Sequence, residues 1–427
     1  MRNIVICCDG TGNEINENIS NVLKLYRCLR KTEKTQPRQF VYYDPGVGTL
    51  ARPDPWHKLK QNFNTILGLT TGYGLDDNVL AAYEFLVQHY QDGDAIYLFG
   101  FSRGAYTVRV LAGLIHKIGL ISPEQVNLAG SGLTAYKQFS DSHKTGADAS
   151  LRALPPPSDE FGPLPKDRYD NAAQFARILS VRWPTIRFVG VWDTVASIFV
   201  PRPDRFYWPS LEELAFTMHN PSIRSFRQAI SIDERRCMFR LKKYDEPQLF
   251  FSNRFIPDEK AEAQDILQVW FAGAHGDIGG GYPEAQSALS KYPLLWMIEE
   301  ATKFGLTVNM QMVKQLAWGV QRRGSPFTYV KPDVAGEMHD PMTWGWRIME
   351  YVPKKATYKE WPERKTHFGF YIPNCEPRFI PDDAVIHESV VKRMDAVKDY
   401  RPINLPKQYR TFPMPEAPTE QAPPEAA

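Results

Sequence analysis

The chain has 427 residues, with 51 lysines and arginines against 49 aspartates and glutamates, a formal net charge of +2. That length suffices for one large α/β domain with insertions or for two domains, and the near-neutral balance gives no electrostatic reason to expect a nucleic-acid partner. The five cysteines, Cys7, Cys8, Cys28, Cys237 and Cys375, are odd in number and lack C-x-x-C or Cys/His spacing, so neither a disulfide framework nor zinc is expected and the thiols read as reduced and mostly buried.

Met1-Arg-Asn-Ile-Val-Ile-Cys-Cys-Asp9 reads as a strand rather than a charged, apolar and cleavable leader, and no apolar run reaches eighteen residues. The expectation is a cytoplasmic chain without a Sec signal or transmembrane helix, leaving room for signal-independent export. Strands are predicted over Ile4–Cys8, Phe40–Tyr43, Ala95–Phe99, Ile186–Trp192 and Val269–Ala274. Helices are predicted between and after them over Asn21–Arg30, Asn78–Tyr90, Ala105–Ile118, Asn171–Leu179 and Tyr292–Phe304. This alternation specifies an α/β fold whose mainly parallel sheet is covered by helices on both faces. The polar, proline-containing stretch at about 119–170 reads as an insertion with an irregular loop. The aromatic-rich run Ile198–Leu214 is a candidate lid. After Thr307 the rhythm fades into Met312–Val320 and a region with Trp344, Trp346, Tyr351 and Trp361. The predicted organisation is a catalytic domain over 1–305, a C-terminal α-rich subdomain over 306–412 packed on it, and a disordered tail over 413–427.

The most informative run is Asp94–Arg109, whose centre Gly100-Phe101-Ser102-Arg103-Gly104 is a G-x-S-x-G elbow with a buried strand before it and a helix after it. That context puts Ser102 where strand turns into helix, the place of a nucleophilic serine, and Gly100 and Gly104 give the turn room to close. Two further apolar runs end in the partners such a serine needs. Arg187–Trp192 leads to Asp193, and Val269–Ala274 leads to His275. Strands of a parallel sheet end along one edge, so Ser102, Asp193 and His275 are expected to converge there. Their order Ser, Asp, His is that of α/β-hydrolases.

Each assignment has a plainer competitor. Ser102 could be a turn serine, Asp193 could cap a helix starting at Thr194, and Asp277 is the alternative acid, disfavoured because it would have to curl back along its own loop. None of the other eight histidines, His57, His89, His116, His143, His219, His339, His367 and His387, is read as following a buried strand. Gly279-Gly280-Gly281 lacks the Lys-Ser/Thr of a phosphate loop and reads as a turn beside the base. Asp9, Asp193 and Asp277 could meet around a cation, but no metal and no cofactor is expected. The oxyanion hole is expected from the backbone N–H of Arg103 and one from Asp9-Gly10-Thr11-Gly12, at Gly10 or Thr11. That loop could equally be a glycine turn with Asp9 in an Asx-turn.

Six ordered motifs then carry a resemblance: DGTGN at 9–13, NVLKLY at 21–26, YYDPGVGT at 42–49, GFSRGAYTVR at 100–109, GVWDTVAS at 190–197 and HGDIGGGYPE at 275–284. Together they resemble an α/β-hydrolase family first catalogued as a domain of unknown function, which includes the catalytic domains of type VI secretion system phospholipase effectors. The resemblance covers roughly residues 1–305, with an echo at Tyr400-Arg-Pro-Ile-Asn-Leu-Pro406 to which no catalytic residue is assigned. It implies a Ser-Asp-His triad at Ser102, Asp193 and His275, an ester or phospholipid substrate, peripheral membrane contact, and a secretion-system or immunity partner. Fold and triad are shared by enzymes of many substrates, so two alternatives stand beside a lipid or phospholipid esterase. One is a soluble carboxylesterase or thioesterase, the other a non-catalytic hydrolase-like binding scaffold.

Overall fold

The computed structural model describes residues 1–10, 18–46, 74–142, 170–195, 199–201, 209–211, 214–252, 261–356 and 359–416. β1 (Asn3–Cys8) is buried along its whole length, as a strand covered on both faces must be. Its side chains alternate, with Ile4, Ile6 and Cys8 in one apolar layer and Val5 and Cys7 in the other. The chain continues through α1 (Asn21–Cys28), β2 (Gln39–Asp44), α2 (Leu75–His89), β3 (Ala95–Phe101), α3 (Arg103–Ile118), α4 (Ala129–Ser142), α5 (Asn171–Leu179) and β4 (Ile186–Trp192). Then follow β5 (Ile223–Ser231), β6 (Asp265–Phe271), α6 (His275–Gly279), α7 (Lys291–Lys303), α8 (Met310–Leu316), α9 (Trp344–Glu350), β7 (Val385–His387), α10 (Glu388–Ala396) and β8 (Arg410–Phe412).

These eight strands make one sheet in the order β2-β1-β3-β4-β5-β6-β7-β8, with every neighbouring pair parallel. One layer packs Val79, Leu86, Leu111, Ile115 and Tyr136 of the helices against Ile96, Leu98, Val189 and Val191. The other packs Leu25 of α1 and Trp296 and Met297 of α7 against Tyr97, Phe99, Phe188 and Trp192. The expected fold is therefore present: a parallel sheet with helices on both faces, of α/β-hydrolase-like class. Strand order reverses at β1, and a crevice at the carboxyl ends of β1 and β3 is where such sheets hold their ligands. Ser102 lies there.

Three strands of the sheet escape the sequence reading. β5 carries Arg224, Ser225, Arg227 and Gln228 and so looks polar, yet all its residues but Arg224 are buried. The polar groups are paired inside: Arg227 Nε donates to Glu300 at 2.6 Å, and Gln228 Oε1 accepts from Arg109 at 2.9 Å. β7 and β8 are three residues each, too short for periodicity to register. They correct the picture of 306–412 as an α-rich unit merely packed on the sheet, because this segment lengthens the sheet by two strands. The insertion reading also changes, since α4 supplies the buried Leu133, Tyr136 and Phe139 to the core and only 143–169 lie outside the described residues. Of the candidate lid, the backbone of Phe199–Pro201 pairs antiparallel with Pro209–Leu211 and Leu214 is core; 198, 202–208 and 212–213 lie outside the described residues. Residues 413–416 of the expected tail are held, with the Met414 N–H donating to Glu388 at 2.9 Å, and 417–427 lie outside the described residues.

Candidate active site

β3 runs to Phe101 and α3 starts at Arg103, so Ser102 alone makes the turn, at φ 57 and ψ −121. A non-glycine residue there costs on the order of 1–3 kcal/mol and persists only when its surroundings impose it. The glycines are what allow it. A Cβ on Gly100 would lie 2.4 Å from the Gly104 carbonyl oxygen, and one on Gly104 would lie 2.2 Å from that of Cys8 and 2.4 Å from that of Asp9. The elbow is thus pressed onto the end of β1.

Asp193 follows β4 directly, at φ 41, with its N–H on the Ala229 carbonyl at 2.8 Å; no helix begins at Thr194. His275 opens α6, four residues beyond the end of β6. The three side chains meet. His275 Nε2 lies 2.8 Å from Ser102 Oγ, and His275 Nδ1 is hydrogen-bonded to Asp193 Oδ2. They grade from surface to core, with Ser102 partly exposed, His275 buried and Asp193 fully so.

Burial by itself would push the Asp193 carboxyl up. The guanidinium of Arg378, together with the bond from His275, overrides burial and holds the carboxyl well below the usual carboxylate range. Arg378 Nη1 donates to Oδ1 and Nη2 to Oδ2 at 3.1 Å, and the Ser231 N–H adds a bond to Oδ1 at 3.0 Å. The His275 ring lies between Phe101, 4.7 Å away centroid to centroid, and the edge-on Phe239 at 5.0 Å. The His275 N–H donates to Glu234 at 3.3 Å. Glu234 is buried, but its ion pair with Arg236 keeps its carboxyl below the ordinary range.

Asp277, the alternative acid, points elsewhere. It accepts from His339 Nδ1 at 2.7 Å, from the His339 N–H at 3.2 Å and from the Ala274 N–H at 3.0 Å, and burial raises its pKa. Asp9 accepts from the Gly10 N–H at 2.7 Å, from the Tyr43 hydroxyl at 2.9 Å and from Ser20, a set of partners separate from those of Asp193 and Asp277. Among the described residues no group of three His, Cys, Asp or Glu is arranged to hold a metal. The Gly10 N–H is engaged with the Asp9 side chain, and Thr11, whose N–H an Asx-turn at Asp9 would use, lies outside the described residues. His387 corrects the survey of histidines: it ends the buried strand β7, and burial lowers its pKa to about 3. Its ring bonds Ser389 Oγ at 2.8 Å and stacks on Phe271, which makes it a core residue. Arg378, Glu234 and Phe239 were missed, because none sits in a periodic element or a motif.

The fold is α/β-hydrolase-like, and at its switch point a serine on a strand-to-helix elbow is bonded to a histidine that is bonded to a buried aspartate. The family model for the T6SS phospholipase effector Tle1-like catalytic domain matches residues 2–300, and the chain belongs to that family. An uncharacterized protein of Saccharomyces cerevisiae is 30% identical over 247 residues, which are 56% of this chain and 32% of that protein. Two solved structures align with a TM-score of 0.35 each. An uncharacterized protein from Pseudomonas aeruginosa is 18% identical over 72% of this chain and 47% of its own. A Tle1 effector bound to the VgrG spike of the type 6 secretion system is 19% identical over 67% of this chain and 52% of its own. The chain thus spans about a third of the yeast relative and about half of each structural neighbour.

Proposed function

We propose that this protein hydrolyses carboxylic esters of lipids, phospholipid acyl esters above all, with Ser102 as nucleophile. The observation that carries the reading is the chain of bonds from Ser102 Oγ through His275 to Asp193. In the reaction His275 Nε2 takes the Ser102 proton as Oγ attacks the ester carbonyl, and Asp193 holds the imidazole in the tautomer with its proton on Nδ1. The tetrahedral intermediate collapses, His275 hands the proton to the leaving alcohol, and water repeats the sequence on the acyl-enzyme. The oxyanion would be met by the Arg103 N–H at the start of α3, a donor worth about 3–4 kcal/mol.

A lipid aggregate is favoured over a small soluble ester by the surface beside the site. Trp346 of α9 packs edge-on against Phe239, which packs on His275. From the same helix Trp344 is 79% exposed, and Tyr351 (60%) and Phe368 (103%) are exposed beyond it on a unit closed by pairing of Lys354–Lys355 with Phe370–Tyr371. Residues 344–372 hold Arg347, Lys354, Lys355, Lys359, Arg364 and Lys365 against Glu350, Glu360 and Glu363, a basic and aromatic composition suited to the headgroups of an anionic membrane. No helix among the described residues is long and apolar enough to cross a membrane. The family's description as an effector supports export without a Sec signal and a secretion-system or immunity partner.

The test is release of fatty acid from phosphatidylglycerol-containing vesicles by the wild type and by Ser102→Ala. Release by the wild type alone supports the reading. Hydrolysis confined to short soluble esters would favour the carboxylesterase or thioesterase, and a folded protein inert on every ester would favour the scaffold.

A further inference from the structure

Asp193 is fully buried and its two oxygens face a guanidinium that lies outside the family-matched region. Arg378 is itself 4% exposed and sits in Pro377-Arg-Phe-Ile-Pro381, a segment without helix or strand. Its Nη2 also donates to the Phe239 carbonyl at 2.7 Å. The segment is tied down by the motif at 400–406. Asn404 Nδ2 donates at 2.9 Å both to the carbonyl of Arg378 and to that of Ile232. The Tyr400 hydroxyl donates at 2.9 Å to Asp233, whose carboxylate also takes the Gly273 N–H at 2.7 Å. Residues 400–406 therefore join the loops that follow β5 and β6 to the backbone of Arg378.

We infer that Arg378 is a positioning residue of the triad: it fixes both oxygens of Asp193 and cancels its charge, and the Tyr400–Pro406 motif exists to hold it there. The inference rests on the triad reading above. A carboxylate buried without a counter-charge either takes up a proton or makes its neighbouring imidazole strongly basic. A protonated Asp193 would give up the bond that sets the tautomer, and a protonated His275 could not accept the Ser102 proton. Other charges face the pair and Arg378: Glu234 with Arg236 and Asp233 from the segment after β5, Asp277 with His339 beside α6, and Glu360, paired with Arg240, beside Arg378. Glu234 and Asp277 each have their own partner, and Asp233 is held by Tyr400 and Gly273. Among the described residues Arg378 is the permanent cation on Asp193.

The test is kcat/KM against pH on a soluble ester, whose acid limb reports protonation of the essential base in the free enzyme. Arg378→Met leaves the negative charge of Asp193 uncompensated, which favours imidazolium, so the limb moves to higher pH by about one unit or more. The same variant lowers kcat about 10- to 100-fold, the usual cost of losing an outer partner that orients a functional group, with KM little changed. Arg378→Lys keeps the charge and loses the two-pronged geometry, so its limb stays near that of the wild type while kcat falls. Asn404→Ala lowers kcat less, with the limb in place. A folded Arg378→Met enzyme with an unmoved limb overturns the inference, and so does Arg378→Lys at full wild-type kcat, which decides the matter if the Met variant does not fold. Ester hydrolysis that survives in Ser102→Ala would instead overturn the triad itself. An inactive Ser102→Ala together with unaffected Arg378 variants would sink only the role of Arg378.

Discussion

The residues up to about 305 and the segment that follows are built on different principles and meet, among other places, at the carboxylate of Asp193. The first part is regular: six parallel strands and their helices bring Ser102, Asp193 and His275 to one edge because strands of a parallel sheet end together. The second part is short strands, short helices and long irregular stretches, yet it places Arg378 on Asp193 and His339 on Asp277, and it exposes the aromatic surface at 344–372. Regularity of the backbone therefore does not mark which part completes a site. The regular part sets the positions of Ser102, Asp193 and His275, and the irregular part surrounds them with charge and surface.

The largest loss is expected at the base. His275→Ala should lower turnover by about 10⁶-fold, as loss of a triad histidine does elsewhere, and the double variant with Ser102→Ala should be little worse because triad members act as a unit. Steady-state rates that fell additively would show that the two do not work together. Next comes the acid. Asp193→Asn should cost about 10⁴-fold by favouring the wrong tautomer, whereas Asp277→Asn, whose partner is His339, should cost far less; the reverse ranking would move the acid to Asp277.

Much of the first part is legible in the sequence, and the reason is physical. Ala95–Phe101 and Ile186–Trp192 are buried on both faces, so they must be apolar throughout, and the elbow turn admits only glycine at 100 and 104. β5 hides because its polar side chains find partners inside, Arg227 with Glu300 and Gln228 with Arg109. Arg378 hides because an ion pair between residues 185 apart leaves no mark in local spacing. The one available signal was the Tyr400–Pro406 run, whose Asn404 and Tyr400 turn out to bond the loops around Arg378. His387 was misplaced because a strand of three residues offers no periodicity.

Two smaller effects sharpen the contrast. His387 ionises in the unfolded chain near 6.5 but stays neutral in the folded one to about 3, so the unfolded state binds more protons between those values and stability falls as pH drops through that window. Thermal melts should show a decline on the order of 2 kcal/mol between pH 6.5 and 4 that His387→Asn flattens, whatever its effect at pH 7. An equal slope in wild type and variant would show that other groups set the decline. The exposed surface should behave oppositely. Trp344→Ser with Phe368→Ser should change stability by less than about 0.5 kcal/mol per site and leave soluble-ester hydrolysis intact, while lowering turnover on anionic vesicles several-fold. A large loss of melting temperature would show that these aromatics pack in the native protein.

The most direct test of the triad is covalent. Incubation with a fluorophosphonate, followed by peptide mass spectrometry, should place a single adduct on Ser102 in the wild type. Ser102→Ala should carry no adduct, and His275→Ala should be labelled far more slowly. A folded wild type that takes up no label, or whose adduct lies on another residue, would contradict the account.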